Sequence, residues 1–179
     1  MTTVQWGGTP CRVTGRICCM IENVKAWEEE LLFTGKIIQD GDNSVSRDEA
    51  MRRGGRYLDL VDMLTGDEGP EFYQALIASL QARHDYGAYA STYHALELFP
   101  DSLYGEPLLG SLLPLISRQP DWAGRLLAVL CREPGRIVAF NRALSQAPST
   151  TRETILAFIQ AQEENGNFLE YYVGKLRPE

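Results

Sequence analysis

From residue 20 onward, apolar residues recur at intervals of three and four, the spacing that places side chains on one face of an α-helix. Proline followed by a small polar or acidic residue interrupts this pattern, as in Pro100-Asp101 and Pro120-Asp121. Proline suits the first turn of a helix, and a neighbouring Asp, Ser or Thr can cap the free N–H groups there. After residue 20 no segment alternates Val, Ile and Thr as a strand would. The sequence therefore predicts an all-α protein.

The pattern predicts about nine helices, beginning near residues 21, 46, 70, 85, 102, 120, 134, 150 and 168. Ser46 with Glu49 and Thr150 with Glu153 have the spacing of capping boxes. Pro114 should kink or shorten the fifth helix, whose many leucines predict burial on most sides. These helix boundaries imply short links throughout.

A faint repeat relates residues 95–102 to residues 143–150, because each segment ends an apolar helix with proline and a capping residue. Antiparallel helix pairs that end in this way predict a short HEAT-like α-solenoid, and an irregular helical bundle is the alternative. Residues 1–19 contain several helix breakers and no helical period. We therefore expect a loose N-terminal tail or non-native extension over 1–19 and a single helical domain over 20–179.

Charge is unevenly distributed along the chain, whose net charge is −7. Residues 21–100 carry 15 acidic and 7 basic side chains, a balance of −8, whereas residues 101–179 carry 9 and 8. A binder of duplex nucleic acid needs clustered Lys and Arg, so this balance argues against that class. An acidic face favours a basic protein partner, although a solvated surface that keeps the protein soluble is the alternative.

Motifs that carry catalytic chemistry are missing from the sequence: it has no nucleophile elbow, no HExxH zinc motif and no phosphate-binding loop. Neither His84 nor His94 has a Cys or carboxylate at metal-ligand spacing. We therefore expect no enzyme, no cofactor and no metal, with an unrecognised pair of carboxylates as the alternative. The four cysteines have no zinc-site spacing and fit a reducing cytoplasm, and no apolar run is long enough to cross a membrane.

Two sets of side chains are candidate partner-binding residues. A row of carboxylates could bind Arg and Lys of a partner, and tyrosines combine a large contact area with a polar tip. Tyr86, Tyr89 and Tyr93 recur at spacings of three and four, which predicts one stripe. The alternatives are a solvated acidic face and tyrosine rings in the core. The predicted surface consists of Glu28, Glu29, Asp59, Asp62, Asp67, Glu68, Glu71, Tyr73, Tyr86 and Tyr89.

The segment from Asp85 to Arg132 carries a resemblance to a known family. It contains Asp85-Tyr86-Gly87-Ala88-Tyr89, Ala95-Leu96-Glu97-Leu98-Phe99-Pro100, Leu112-Leu113-Pro114 and Pro120-Asp121-Trp122-Ala123-Gly124-Arg125-Leu126-Leu127. With these motifs, residues 50–165 resemble the helical, HEAT-like immunity proteins of bacterial polymorphic-toxin and contact-dependent inhibition systems. The motifs are structural rather than catalytic.

The resemblance implies a cytoplasmic protein of the toxin-producing cell that binds a cognate toxin domain and blocks its active site or its activation. Many such toxins are nucleases with basic clefts, which an acidic surface complements electrostatically. We expect a monomer or weak dimer that contacts neither nucleic acid nor membrane directly. A helical-repeat adaptor with a groove for a peptide or protein is the alternative function.

Overall fold

The computed structural model describes residues 11–13, 16–18, 21–166 and 172–178, and it confirms the predicted all-α fold class. Eight α-helices lie in these residues, with one 3₁₀ helix over Asp101–Tyr104 between the fourth and the fifth. The helices are α1 (Val24–Thr34), α2 (Arg47–Asp62), α3 (Pro70–Ala78), α4 (Tyr89–Leu98), α5 (Glu106–Arg118), α6 (Pro120–Leu130), α7 (Pro134–Gln146) and α8 (Ser149–Glu164).

Two predictions fall partly outside the described residues. The segment predicted as a loose tail contains a short antiparallel ladder, in which β1 (Cys11–Val13) pairs with β2 (Arg16–Cys18), and its other residues are not described. Of the ninth helix predicted near residues 168–176, only residues 172–176 are described. There Tyr172 and Leu176 bury their side chains in the helical core.

Helix starts follow the predicted capping chemistry at some positions and depart from it at others. The Ser46 hydroxyl accepts from the Glu49 N–H and caps α2 (3.2 Å), and prolines stand in the first turns of α3, α6 and α7. The capping box predicted at Thr150 is wrong, because α8 begins at Ser149 with no side-chain cap. Pro114 does not shorten α5, which continues to Arg118.

The helix predicted from Asp85 begins four residues later, at Tyr89. Tyr86 and Gly87 have φ values of 49° and 90°, which lie in the left-handed region and cannot continue a right-handed helix. A segment distant in sequence stabilises this turn, because the Tyr86 hydroxyl accepts a hydrogen bond from the Asp40 N–H at 2.8 Å. Asp85 nevertheless has a capping role, since its carboxylate accepts from the Tyr89 N–H (2.9 Å).

The helices lie in two rows. In the odd row, α1 packs against α3, α3 against α5, and α5 against α7. In the even row, α2 packs against α4, and the Tyr93 hydroxyl of α4 donates to the Trp122 carbonyl of α6 (3.2 Å). Consecutive helices pack across the rows in the pairs α1–α2, α3–α4 and α5–α6. This succession favours the solenoid over the irregular bundle.

The loop at residues 80–88 is fixed by side chains from distant parts of the chain. The buried Tyr89 hydroxyl accepts from the N–H groups of Gln81 (2.9 Å) and Ala82 (2.7 Å), and it donates to the Gly35 carbonyl (2.7 Å). The Trp122 indole N–H donates to the Ala82 carbonyl (2.7 Å). These bonds satisfy backbone groups that would otherwise be buried without partners, and they connect α1, α3, α4 and α6.

Candidate functional site

The odd row carries a hollow between α1, α3 and α5 that encloses about 390 Å³. We call it the acidic hollow, because the carboxylates of Glu28 and Glu71 border it. Small side chains form much of its floor, since Ala75 and Ala78 of α3 face Gly110 of α5. The described residues that line it are Glu28, Glu71, Gln74, Ala75, Ala78, Gly110, Ser111, Pro114 and Arg118.

A second hollow lies on the other side of α5, against α7 and the start of α8, and encloses about 540 Å³. We call it the apolar hollow, because most of its lining is aliphatic or proline. The lining residues are Glu106, Leu109, Gly110, Leu113, Pro114, Ala143, Gln146, Ala147, Pro148 and Thr151. Gly110 and Pro114 border both hollows, so the two hollows adjoin across α5.

α5 presents an exposed stripe to these hollows, formed by Glu106, Gly110, Pro114 and Arg118 at a spacing of four. The prediction that this helix is buried on most sides is therefore wrong along one face. Leu108, Leu112 and Leu115 do enter the core. A Cβ added at Gly110 would meet no atom within 4 Å, so the surface above this glycine is open. The small residues of α5 keep the two hollows connected.

The lining of the two hollows has a net charge of −2, from three carboxylates (Glu28, Glu71 and Glu106) and the guanidinium of Arg118. Within the described part of the chain, the structure records no ion pair for these three carboxylates. An opposite charge on a partner could therefore pair with them without breaking an existing bridge.

Other acidic residues of the first half are already neutralised. The Arg56 guanidinium donates to both oxygens of Glu30 at 2.8 Å and joins α2 to α1. This bond holds the pKa of the Glu30 carboxyl below its ordinary value. Glu49 pairs with Arg52 and Arg53. Three of the four arginines of α2 are thus paired with carboxylates of the protein itself.

The predicted acidic surface divides when the chain folds. Glu28 and Glu71 meet at the acidic hollow, whereas exposed Asp59, Asp62 and Asp67 lie on α2 and in the loop after it and do not line this hollow. Exposed Glu29 lies 3.9 Å from the Lys25 ammonium. None of these positions tests whether the six carboxylates bind a partner, so that role stays a prediction.

Glu68 has a structural function that the sequence analysis missed. One carboxylate oxygen accepts from the N–H and the hydroxyl of Thr65 (2.9 and 3.0 Å), and the other accepts from the Gly66 N–H (2.8 Å). Gly66 has a φ of 91°, and a Cβ there would collide with the Leu98 carbonyl. Glu68 therefore stabilises a tight loop, and its predicted role in binding a partner stays a prediction.

Two of the three predicted aromatic anchors are wrong. Tyr73 and Tyr89 are 0% exposed and belong to the core, where their rings pack edge-on against other aromatic rings. A buried ring cannot contact a partner without unfolding the helices around it. Tyr86 is 58% exposed, but it lies in the turn before α4 and not on a helical stripe with Tyr89. Of the three tyrosines at helical spacing, Tyr89 is buried, Tyr93 is half-buried and Tyr86 is exposed, so they do not form one exposed stripe.

A third pocket, of about 400 Å³, lies between α4 and α6 and includes both acidic and basic side chains. Its Glu97 carboxylate is 3.2 Å from the Arg132 guanidinium and 3.5 Å from His94 Nδ1. Asp85 already caps α4, and the Arg125 guanidinium stacks 4.7 Å from the Trp122 ring centre. Because its charged groups are largely engaged with each other and with the protein, this pocket offers less to a charged partner than the acidic hollow does.

Among the described residues, no group of three or more His, Cys, Asp or Glu side chains is placed to share a metal ion. In the same residues, no helix has both the length and the hydropathy needed to cross a membrane. Comparisons of the chain with protein-family models, curated proteins and solved structures find no match.

Proposed function

We propose that this chain is an immunity protein that binds a cognate bacterial toxin domain in the cytoplasm of the toxin-producing cell and neutralises it. The observation that carries the proposal is the acidic hollow, where Glu28 and Glu71 border a concave surface and have no recorded ion pair in the described residues. Concave surfaces with a few convergent polar groups are typical binding sites. The motif resemblance between residues 50 and 165 supplies the class of partner.

Electrostatics gives the proposal a mechanism. A nuclease domain uses Lys and Arg to bind the phosphates of its substrate. Carboxylates of the hollow would pair with the same cations and compete with nucleic acid for them. Complementary charge would also accelerate the encounter and fix the relative orientation of the two proteins. Inhibition then requires no reactive group on this chain.

The alternative function, a helical-repeat adaptor, is favoured by one feature, the continuity of the acidic and apolar hollows across α5. Such a surface could hold a peptide from a partner that is not a toxin. The two functions share the binding face and differ in the consequence of binding. An adaptor would bind its partner without protecting a cell from it.

The first test is co-expression with the toxin domain encoded beside this gene, measured as cell survival and as the Kd of the purified complex. Glu28→Lys combined with Glu71→Lys should weaken the complex at least about tenfold, because two repulsive contacts replace two attractive ones. Survival should fall with the affinity.

The matched control is Asp121→Lys combined with Glu153→Lys. It makes the same change in net charge at exposed residues outside both hollows, and Asp121, like Glu71, follows the proline that begins its helix. Equal losses in the two double variants would show that only net charge matters and would contradict the assigned surface. Absence of both binding and protection in the unaltered protein would reject the immunity function.

A further inference from the structure

The carbonyl group of Gly110 occupies an unusual position at the centre of the odd-row surface. In an α-helix this carbonyl would accept from the N–H of the residue four positions later, but that residue is Pro114, which has no N–H. Gly110 and Pro114 are both exposed and border both hollows. A hydrogen-bond acceptor without its helical donor therefore lies where the acidic and apolar hollows meet.

The lining of the hollows disfavours an extended occupant. Addition of a β-strand requires unpaired N–H and C=O groups at the edge of a sheet, whereas these hollows are lined mainly by residues within helices. A polyproline segment binds between aromatic side chains, and none of the described residues that line the two hollows is aromatic. The remaining common mode is a helix that lays its apolar face into a groove.

The side chains that line the hollows and the length of the surface both suit a bound helix. Leu109, Leu113, Ala143 and Ala147 offer an aliphatic floor on one side of α5, and the combined lining has a net charge of −2. Four neighbouring helices at about 9 Å between axes span about 27 Å from α1 to α7, the length of a helix of about 18 residues. We infer that the two hollows form one groove that binds a basic amphipathic α-helix of a partner protein.

In this arrangement, apolar side chains of the bound helix enter the apolar hollow. A Lys or Arg side chain near the α1 end pairs with Glu28 and Glu71, and a second donor binds the Gly110 carbonyl. The bound helix crosses α5 at Gly110, where a larger side chain would stand in its path. The inference rests on the proposed function for the origin of the helix in a toxin domain, but the groove can be tested without a toxin.

The probe is a synthetic peptide of about 18 residues with Leu at positions i, i+3, i+4 and i+7 and Lys on the opposite face. Fluorescence anisotropy measures its Kd for the full chain. We expect at least about tenfold weaker binding to the Gly110→Trp variant, because the indole fills the crossing point. The matched control is Gly55→Trp, which places the same side chain at an exposed glycine of α2 where a Cβ likewise meets nothing within 4 Å. Its Kd should stay within about twofold of the unaltered protein.

Two further peptides separate groove binding from nonspecific attraction. One has the same Leu and Lys content in scrambled order, and the other has Glu in place of every Lys; both should bind at least about tenfold more weakly. If the indole of Gly110→Trp perturbs folding, Gly110→Lys serves as the second variant, because its positive charge repels the basic peptide. Equal affinity for the ordered and scrambled peptides would overturn the inference, as would unchanged binding to both folded Gly110 variants.

The toxin assay keeps this inference distinct from the proposed function. If Gly110→Trp still binds the toxin domain and protects cells, the immunity function stands and the helix in the groove is wrong. If the ordered peptide binds with the expected selectivity but the chain neutralises no toxin, the groove stands and the immunity function is wrong.

Discussion

The loop at residues 80–88 and the exposed stripe of α5 show two opposite uses of polar and small residues. The loop is crossed by hydrogen bonds from Tyr89, Trp122 and Gln119, which arrive from three different helices or helix ends. The stripe has a glycine with no neighbour over it and a proline that removes a backbone donor. One region is fixed by internal bonds, whereas the other leaves surface and a backbone acceptor free for a partner.

The two regions also differ in their use of tyrosine side chains. Tyr57, Tyr73, Tyr89 and Tyr104 are fully buried and mostly bond polar groups that connect helices. The accessible groove is formed by small, aliphatic and acidic residues instead. Most tyrosines of this protein therefore belong to the core. The groove is marked instead by exposed small residues on an otherwise apolar helix.

The largest expected effect tests the fixed region. Tyr89→Phe should lower the free energy of unfolding by about 2–4 kcal/mol, because the partly buried Gln81 N–H, the buried Ala82 N–H and the Gly35 carbonyl lose their partner. Urea unfolding followed by circular dichroism measures the change.

Tyr73→Phe is the matched comparison, since its hydroxyl is equally buried and has no hydrogen-bond partner among the described residues. Removal of that hydroxyl should change stability by less than about 0.5 kcal/mol or raise it, because no bond is lost and a costly buried polar group disappears. Similar destabilisation in both variants would show that the three hydrogen bonds of the Tyr89 hydroxyl do not account for the cost, because Tyr73→Phe removes a hydroxyl that makes no such bond.

The next effect tests the open region. Gly110→Ala should raise the free energy of unfolding by roughly 0.5–1 kcal/mol, because alanine favours the helix and its methyl group meets open space. The variant should still bind the Leu/Lys peptide, since a methyl group is too small to fill the groove. Thermal unfolding and anisotropy measure the two results. Loss of stability would show that the surface over Gly110 is not open.

The smallest expected effect concerns the ion pair that joins α1 to α2. The Arg56 hydrogen bond lowers the pKa of Glu30 in the folded protein, so this pair stabilises the fold above the carboxyl pKa of the unfolded chain. That stability is lost as the pH falls through the lower, folded pKa. Glu30→Gln should cost about 0.5 kcal/mol at pH 7, since both side chains are about one-third exposed.

The cost of Glu30→Gln should shrink as the pH falls below the ordinary carboxyl pKa of about 4.3 and through the lower pKa of Glu30 in the folded protein. Urea unfolding at neutral and acidic pH checks this. Glu29→Gln, at the exposed neighbour on α1, serves as the control and should show a smaller cost at pH 7. A cost that stays constant across this pH range would mean that Glu30 acts through packing and not through its charge.

The fold class could be predicted from the amino-acid sequence, because helical periodicity and capping depend on residues close together in the chain. Hydrogen bonds within a few residues define the helix boundaries at Pro100 and Pro120 and the cap at Ser46. These features could therefore be predicted from the sequence. The same local reasoning missed the start of α4, where Asp40 and Gln39 hold the turn before it through bonds across more than 40 residues.

The accessible helix faces, in contrast, depend on how the helices pack together in space. The five leucines of α5 give no sign of the stripe at Gly110 and Pro114, because exposure depends on how closely α3 and α7 approach that helix. The acidic residues were identifiable one by one, but the packing of α1 on α3 brought Glu28 to Glu71, and the arginines of α2 neutralised Glu30 and Glu49. Burial and charge pairing are properties of neighbours in space, which a linear pattern does not contain.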